Sequence, residues 1–337
     1  MRFRASLAPE QVAHLYALIS PLAKVASQNQ PNSQGSRYPN VSGLFSWASH
    51  ACLLAIDEDM MHLALDLPPT EGIKCVASVQ AKGGLFLDHR IESQAPDNRI
   101  VLRVDLQQLR TALQSIQQQL QTKSRHNSRG AAPMFTASPA MLTIVKLAKR
   151  NQMPCLCFEA KTAYRMEIHQ TIPVHVLRHE EYTQGKFGLP ELPAESMVQL
   201  WLPPTAGSTL KTLLDAVKAP AKGPSQHVVL TGNTSTAELR VQLDHDNGAH
   251  LQTIFLGQVV NRENGENNNP PTQEAASVRV SATQVASTLN HGLWTTEWSL
   301  VPNEALVVAV RLDPVGVCTY VLPVTYLEEE DEADGVE

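Results

Sequence analysis

The sequence predicts an α+β fold built from two domains that repeat one plan, each with antiparallel strands and two helices. Three observations support this. The chain has 337 residues, enough for two compact domains. Four structural patterns in the first half recur in the same order in the second half. The helical segments carry one apolar face each, as helices that pack on a sheet do.

The first pattern is a strand that runs into a helix. It is MRFRASLAPEQVAHLYALISPLAK in the first half and MVQLWLPPTAGSTLKTLLDAVK in the second half. Helical spacing places the apolar residues of each on one side; they are Val12, Leu15, Ile19 and Leu22, then Leu210, Leu213, Leu214 and Val217. Pro21 is expected to kink the first helix or to end its regular part.

The second pattern is a pair of short strands, HACLLAIDEDMMHLALDL and later HVVLTGNTSTAELRVQLDH. A further hairpin is predicted in HDNGAHLQTIF, because Asn247-Gly248 between two β-like runs favours a tight turn. These segments indicate antiparallel sheets in both halves.

The third pattern is another strand that enters a helix, RIVLRVDLQQLRTALQSIQQQL and later SVRVSATQVASTLNHGL. Asp105 is placed to act as the N-cap or first-turn acid of the first of these helices. Five residues spaced three or four apart form its apolar face: Leu106, Leu109, Leu113, Ile116 and Leu120.

The fourth pattern is a closing pair of strands, MLTIVKLAKRNQMPCLCFEA and later ALVVAVRLDPVGVCTYVLPV. Between the patterns lie polar segments rich in Asn, Ser, Gly and Pro, which do not bury a core. Loops or disorder are therefore predicted at 27–43, 122–133 and 261–276, and a crossing linker at 179–196.

Composition narrows the class of protein. Hydrophobic residues make up 43% of the chain, and no apolar run approaches the roughly 20 residues that a membrane helix needs. The N-terminal residues lack the apolar core of a secretory signal, so an intracellular protein without a membrane span is expected. The five cysteines are scattered and are interpreted as reduced thiols in apolar strands.

The charge is unevenly distributed. The last ten residues, EEEDEADGVE, hold seven acidic residues and no basic one, so the rest of the chain carries +1 instead of the overall −6. A nearly neutral body still allows positive charge to collect on one face, and the net charge therefore does not exclude a nucleic-acid partner.

The sequence contains no phosphate-binding glycine loop, nucleophile elbow or paired CxxC motif. Cys155 and Cys157 point to the same face of a strand, which allows a metal or redox site, but burial in the core is the favoured interpretation. His169, His175 and His179 are likewise interpreted as packed or solvated histidines. We therefore predict no catalytic residue, no metal and no cofactor.

Basic residues on or beside three predicted helices lie away from the apolar stripes. They are Lys24, Arg110, Lys123, Arg125, Lys211, Lys218 and Lys222. If the helices share one side of a sheet, these cations meet phosphates without sequence preference. The alternative is that they are ordinary solvated side chains, which Asp215 supports because it partly neutralises Lys211 and Lys218.

The residues resemble the sliding-clamp family, and within it the Hus (hydroxyurea sensitivity) checkpoint subunits of the nine-one-one ring. The resemblance rests on MRFRA before a helix, on MPCLCFEA with a later IPVHVL, on VQLWLPP before LKTLLDAVK, and on the closing CTYVLPV. It extends over most of residues 1–327. Proliferating cell nuclear antigen, the replicative clamp, shares the plan but is less similar at MRFRA and around the central linker.

The resemblance implies a non-enzymatic, nuclear subunit of a heterotrimeric ring that encircles DNA in the damage checkpoint. Its partners would be Rad nine-like and Rad one-like clamp subunits, a clamp loader, double-stranded DNA bound non-specifically, and repair and checkpoint factors. The implied domains are an N-terminal clamp domain (1–176), an interdomain connector (177–196), a C-terminal clamp domain (197–327) and a disordered acidic tail (328–337). Antiparallel sheets would form the outside, and four helices would line a central channel.

The resemblance also implies positions for the sites. The seven basic residues named above would face the DNA channel, whose helices would lie near 9–24, 105–121, 208–218 and 281–293. Phe187, Leu189 and Leu192 would contact partner peptides beside the connector, or would simply pack the connector on the outer sheet. The fourth channel helix has no Lys or Arg and therefore offers no such cation to DNA.

Two other functions remain open on the sequence. One is a replicative-type clamp that assembles with itself as a homotrimer. The other is a thiol-dependent or metal enzyme that uses Cys155, Cys157 and the neighbouring histidines.

Overall fold

The computed structural model describes residues 1–28, 51–65, 72–95, 97–126, 142–161, 167–178, 181, 187–193, 197–218, 227–244, 250–259, 274–289, 295–312 and 315–325. The chain divides into two compact units. Unit 1 comprises residues 1–190 and 309–320, and unit 2 comprises residues 191–308 and 321–337. The boundaries inferred from the sequence resemblance stay a prediction.

Unit 1 contains two long helices and an antiparallel sheet. Its strands follow the order β4-β3-β2-β6-β9-β8-β7-β1-β5. The helices are α1 (Pro9–Gln28) and α2 (Leu106–His126); the strands are β1 (Arg2–Leu7), β2 (Ala51–Ile56), β3 (Met60–Leu65), β4 (Lys74–Gln80), β5 (Asp88–Glu92), β6 (Ile100–Asp105), β7 (Thr143–Arg150), β8 (Met153–Lys161) and β9 (Glu167–Val176).

Unit 2 contains two shorter helices and two groups of strands. One sheet has the order β13-β12-β11-β15, and β10 lies between β14 and β16 in the other group. The helices are α3 (Pro204–Lys218) and α4 (Ala282–Thr288); the strands are β10 (Val198–Leu202), β11 (His227–Asn233), β12 (Glu238–Asp244), β13 (His250–Leu256), β14 (Gln258–Val259), β15 (Ala275–Ser281) and β16 (Thr296–Val301). The last strands, β17 (Ala305–Leu312) and β18 (Gly316–Pro323), contribute residues to both units.

The predicted patterns of strands are confirmed. β2 pairs with β3, β7 with β8 and β11 with β12, each in antiparallel register. β12 pairs with β13, as the Asn-Gly signal indicated, although the turn residues 245–249 lie outside the described part of the chain. Local turn chemistry and alternation therefore determined these hairpins.

The apolar stripes of α1 and α2 are confirmed as core, except at the end of α2; in α3, Leu210 and Leu214 are buried and Leu213 is half-buried. Val12, Ile19 and Leu22 of α1 are at most 1% exposed. Leu106, Leu109, Leu113 and Ile116 of α2 are buried as well, while Leu120 is half-buried. Each helix of unit 1 therefore has one face on the sheet and one exposed face.

Two helix ends differ from the expectation. α1 ends at Gln28, beyond the implied span of 9–24, because Val25 and Ala26 in its last turns are buried and their packing offsets the hydrogen bond that Pro21 does not make. Pro21 therefore does not end the helix, and the expected kink stays a prediction. α2 continues to His126, so the loop predicted from 122 begins too early; no glycine or proline stops the helix there.

The fourth helix is also shorter than the predicted span of 281–293. It begins after Ser281 and ends at Thr288, with Leu289 as its C-cap. Residues 290–294 lie outside the described part of the chain.

Within unit 1, the start of β18 lies directly beside β4. A Cβ atom on Gly316 would stand 2.2 Å from the backbone oxygen of Ser78 and 2.8 Å from the Cα of Val79. A glycine is therefore required at this position, because a side chain has no space between the two backbones.

Candidate functional site

α1 and α2 pack against each other and expose a polar face in unit 1. Lys24 lies on this exposed face of α1, together with Glu10 and His14. The single described cation of α1 is thus accompanied by an acidic residue and a histidine. This face of α1 is mixed in charge.

α2 carries the next predicted cations. Arg110 is half-buried, and its Nε atom is buried with no hydrogen-bond partner among the residues that the structure describes. Lys123 and Arg125 lie in the last turns of the helix, where the side chains are outside the description. The rest of the described exposed face is made of glutamine and threonine.

α3 supplies the predicted cations of unit 2. Lys211 forms an ion pair with Asp215, one helical turn further along. Lys218 is the last residue of α3 and its side chain is not described, and Lys222 lies outside the described residues. Ser208, Thr209 and Thr212 donate their hydroxyl hydrogens to carbonyl oxygens of the same helix.

The structure therefore brings Lys24 and Arg110 onto neighbouring helices of unit 1 and places Lys211 on a helix of unit 2. The convergence of all seven cations on one surface stays a prediction. α4 exposes Thr283, with Gln284 half-buried, and contributes no cation.

The three predicted connector contacts lie in different environments. Phe187 packs on a buried cluster of Leu53, Ala55, Val101 and Leu177. Its ring centroid also lies 6.4 Å from that of His62. The connector is thereby held against β2 and β6 by its aromatic residue, which agrees with the packing alternative for this residue.

Leu189 and Leu192 are more accessible. Leu189 is 43% exposed, two residues after Phe187 in unit 1, whereas Leu192 is half-buried in unit 2. Leu189 is therefore the residue of the three that has most of its surface available for a partner.

A polar group beside Phe187 was not predicted from the sequence. His62 Nδ1 lies 3.0 Å from Ser78 Oγ. Burial lowers the pKa of His62, the carboxylate of Asp57 raises it, and Arg99 lowers it, so that the pKa lies below its usual value. A neutral imidazole is thus favoured against the aromatic ring of the connector.

Asp57 organises the turn between β2 and β3. Its carboxylate accepts hydrogen bonds from the backbone N–H groups of Asp59 and Met60 and from Arg99 Nη2, at 3.1, 2.8 and 3.0 Å. Burial raises the pKa of Asp57, but these hydrogen bonds outweigh it and place the pKa below its usual value. The sequence signal was the run Asp57-Glu58-Asp59 between two strands, which is typical of an Asx-stabilised turn.

The cysteines fit the favoured interpretation of buried thiols. Cys155 and Cys157 are each 2% exposed on β8, and all five cysteines of the chain are buried thiols that form no disulfide. Burial, followed by the neighbouring Cys157, raises the pKa of Cys155. The described residues contain no group of three side chains arranged to hold a metal ion.

The two described histidines of the run 169–179 have different neighbours. His169 lies on β9 between two carboxylates, 3.9 Å from Glu159 Oε1 and 3.4 Å from Glu167 Oε2. His175 pairs with Arg103 on β6, and His179 is outside the described residues. Glu159 also pairs with Lys146, and Glu167 also pairs with Lys161. Such a row of ion pairs is typical of solvated side chains on a protein surface.

The edge strand β13 of unit 2 carries no charged residue and exposes apolar side chains. β13 is the terminal strand of its sheet and pairs with β12 on one side, with no strand on the other side among the described residues. Its sequence HLQTIFL has no Lys, Arg, Asp or Glu, and Leu251, Ile254 and Leu256 are 38, 46 and 70% exposed. Isolated soluble domains normally protect such an edge with charge, proline or a bulge.

Comparison with known proteins gives three results. The family model described as Hus1-like protein matches residues 34–326. The fold is similar to solved clamp structures: proliferating cellular nuclear antigen from Entamoeba histolytica (TM-score 0.60, 8% identity, 96% of this chain and 99% of that chain) and PCNA from Thermococcus kodakaraensis (TM-score 0.59, 10% identity, 96% and 100%). The comparison with curated proteins gave no significant match.

At these identities the solved structures establish the fold, which is that of the sliding clamps, with mostly antiparallel sheets. The α+β expectation and the predicted clamp fold are confirmed. Among the helices that the structure describes, none has the length and apolar character needed to cross a membrane.

Proposed function

Because this chain belongs to the Hus1-like protein family and has the sliding-clamp fold, we propose that it is a non-enzymatic subunit of a heterotrimeric DNA clamp. In this proposal the ring also contains Rad nine-like and Rad one-like subunits, and a clamp loader places it on double-stranded DNA. It acts in the nucleus, where it recruits checkpoint and repair factors.

The observation that carries the proposal is the open edge of β13. An apolar strand edge without charged residues is complementary to the edge strand of another clamp subunit, because main-chain hydrogen bonds continue the sheet and the exposed side chains become buried. We assign this edge to a neighbouring subunit of the ring.

The exposed helix faces are the proposed DNA surface. Lys24, Arg110 and Lys211 would contact the phosphate backbone, and Lys123, Arg125, Lys218 and Lys222 complete the proposed set. Contacts that are few, weak and independent of sequence suit a ring that slides, because a dense set of cations would bind DNA too tightly.

The connector is the proposed site for partner peptides. Phe187 is anchored on the sheet and Leu189 is exposed beside it, so a partner would contact Leu189 while Phe187 fixes the connector beneath. Leu192 is proposed as a further contact. The recruited factors would use an apolar residue at this contact.

Co-expression with Rad nine-like and Rad one-like subunits of the same organism, followed by mass measurement of the purified complex, tests the proposal. The expected result is a complex with one copy of each chain. A chain that forms no hetero-oligomer, or a stable homotrimer of the isolated chain, would overturn the heterotrimer; the homotrimer would support a replicative-type clamp instead.

The contribution of β13 is tested with the double substitution Ile254→Lys and Leu256→Lys. Two lysines on the edge strand are expected to abolish assembly and to leave the chain folded, as measured by circular dichroism. Leu87→Lys is the matched control, since Leu87 is 57% exposed elsewhere, in unit 1. Normal assembly of the β13 variant would exclude this edge from the interface.

A further inference from the structure

The exposed face of α2 carries an axial row of side chains that is neutral. Gln107, Thr111, Gln114 and Gln118 are spaced four, three and four residues apart, so they lie on one line along the helix. The row extends about 16 Å along the axis. Gln107, Thr111 and Gln118 are exposed and Gln114 is half-buried.

The row is positioned by the buried side of the same helix. Leu109, Leu113 and Ile116 fix the rotation of α2 about its axis, because they are at most 3% exposed in the core of unit 1. Asp105 accepts a hydrogen bond from the backbone N–H of Gln108 at 2.9 Å and fixes the start of the helix. The glutamine side chains therefore project from a rigid support.

The amides are the suitable donors on this face. The hydroxyl of Thr111 donates to the carbonyl oxygen of Gln107, at 2.8 Å, and so has no hydrogen left for a ligand. Each glutamine carboxamide has two N–H donors and retains one even when the other is bonded within the protein. Three carboxamides thus offer hydrogen bonds along the row.

We propose that Gln107, Gln114 and Gln118 contact the phosphate backbone of double-stranded DNA through neutral hydrogen bonds. This inference rests on the proposed clamp function, which places the exposed helix faces toward DNA. Described cations near the row are few: Arg110 is half-buried, and Lys24 shares the exposed face of α1 with Glu10.

Neutral donors have a measurable consequence. A lysine or arginine that binds a phosphate releases a counterion and makes the interaction weaken with salt, whereas an amide hydrogen bond releases none. The glutamine row is therefore expected to slow the diffusion of the ring along DNA by a factor that does not depend on the salt concentration. Such contacts exchange readily with water, because a hydrogen bond between neutral groups has a small net free energy.

The test measures one-dimensional diffusion of the assembled heterotrimer on end-blocked DNA at low and at high salt. In Gln107→Ala/Gln118→Ala the diffusion coefficient is expected to rise by up to about fivefold for each hydrogen bond lost, by the same factor at both salt concentrations. In Gln107→Lys/Gln118→Lys the diffusion coefficient is expected to fall at low salt and to depend on salt more steeply than in the wild type.

Gln119→Ala is the matched control, because Gln119 is exposed on the same helix about 100° away from Gln118. It is expected to diffuse as the wild type does. An alanine double variant that behaves as the wild type, or that differs from it at low salt alone, would overturn the glutamine row while the clamp function stands. A wild-type ring that is not retained on end-blocked DNA would overturn both.

Discussion

The Sγ atoms of Cys75 and Cys318 lie 3.6 Å apart in the interior of unit 1, although the two residues are 243 positions apart in the chain. Cys75 is on β4 and Cys318 is on β18, and they are 1% and 0% exposed. Burial, with the neighbouring Cys318, raises the pKa of Cys75 well above its usual value. Burial likewise raises that of Tyr320.

We expect the native chain to react slowly with a disulfide reagent such as Ellman's reagent. The thiolate is the reactive form, and both burial and the raised pKa values of Cys75 and Cys155 disfavour it. Unfolding in guanidinium should release all five thiols. A thiol that reacts at once in the native protein would support the thiol-dependent enzyme that the sequence left open.

Gly316→Ala is expected to destabilise the chain by about 1–3 kcal/mol, because the new methyl group meets backbone atoms of Ser78 and Val79. Chemical denaturation monitored by circular dichroism measures the change. Gly207→Ala is the control: its Cβ would meet Leu289 Cδ2 at 3.8 Å, an ordinary contact, and alanine favours helix α3. Equal stability of the Gly316 variant and the wild type would show that β18 does not approach β4 this closely.

Phe187→Ala is expected to lower stability by about 1–2 kcal/mol, since the ring leaves its contacts with Leu53, Ala55, Val101 and Leu177. The connector should also be cut faster in limited proteolysis. Leu189→Ala, at a residue that is 43% exposed, should leave both measurements unchanged. A similar loss at both positions would show that the anchor extends beyond the aromatic ring.

Asp57→Asn is expected to destabilise the chain at neutral pH by about 1 kcal/mol, because a charged acceptor is replaced by a neutral one. The folded pKa of Asp57 lies below its usual value of 3.8, so the ionised group contributes stability above that value and loses it as the pH falls through the folded pKa. The difference between variant and wild type should therefore narrow in acid.

Asp59→Asn provides the control within the same turn. The carboxylate of Asp59 is exposed, whereas that of Asp57 is 17% exposed and bonds to Arg99. Thermal unfolding between neutral and acidic pH distinguishes them. A pH-independent loss in the Asp57 variant would mean that shape, and not charge, sets its contribution.

The sequence predicted those helices and strands whose apolar residues recur at a regular spacing, or whose turn residues are close together in the chain. The stripes of α1 and α2 and the hairpin of β12 and β13 follow from residues close together in the chain. The contact between Cys75 and Cys318 follows from pairing over 243 positions, which leaves no local pattern. The end of α1 was missed because the burial of Val25 and Ala26 is a tertiary effect.

The candidate site was predicted in part for the same reason. Sequence position identified Lys24, Arg110 and Lys211 as cations on helices, and the spacing of four residues correctly indicated that Asp215 neutralises Lys211, but it did not show that Arg110 is half-buried. Phe187 was identified as a contact residue. The sequence around it is rich in Gly and Pro and has no regular spacing of apolar residues, so it did not predict the contacts with Leu53 and Val101. The direction of a side chain depends on its neighbours in space.

In the proposed ring, the uncharged edge of β13 also has a consequence for the amount of this chain that a cell can hold without partner subunits. A copy without a ring partner presents Ile254 and Leu256 on an edge strand that offers its main chain for pairing with another copy. If the proposed ring forms, synthesis of this chain is expected to stay matched to that of its partner subunits, and surplus copies are expected to become substrates for chaperones and proteases.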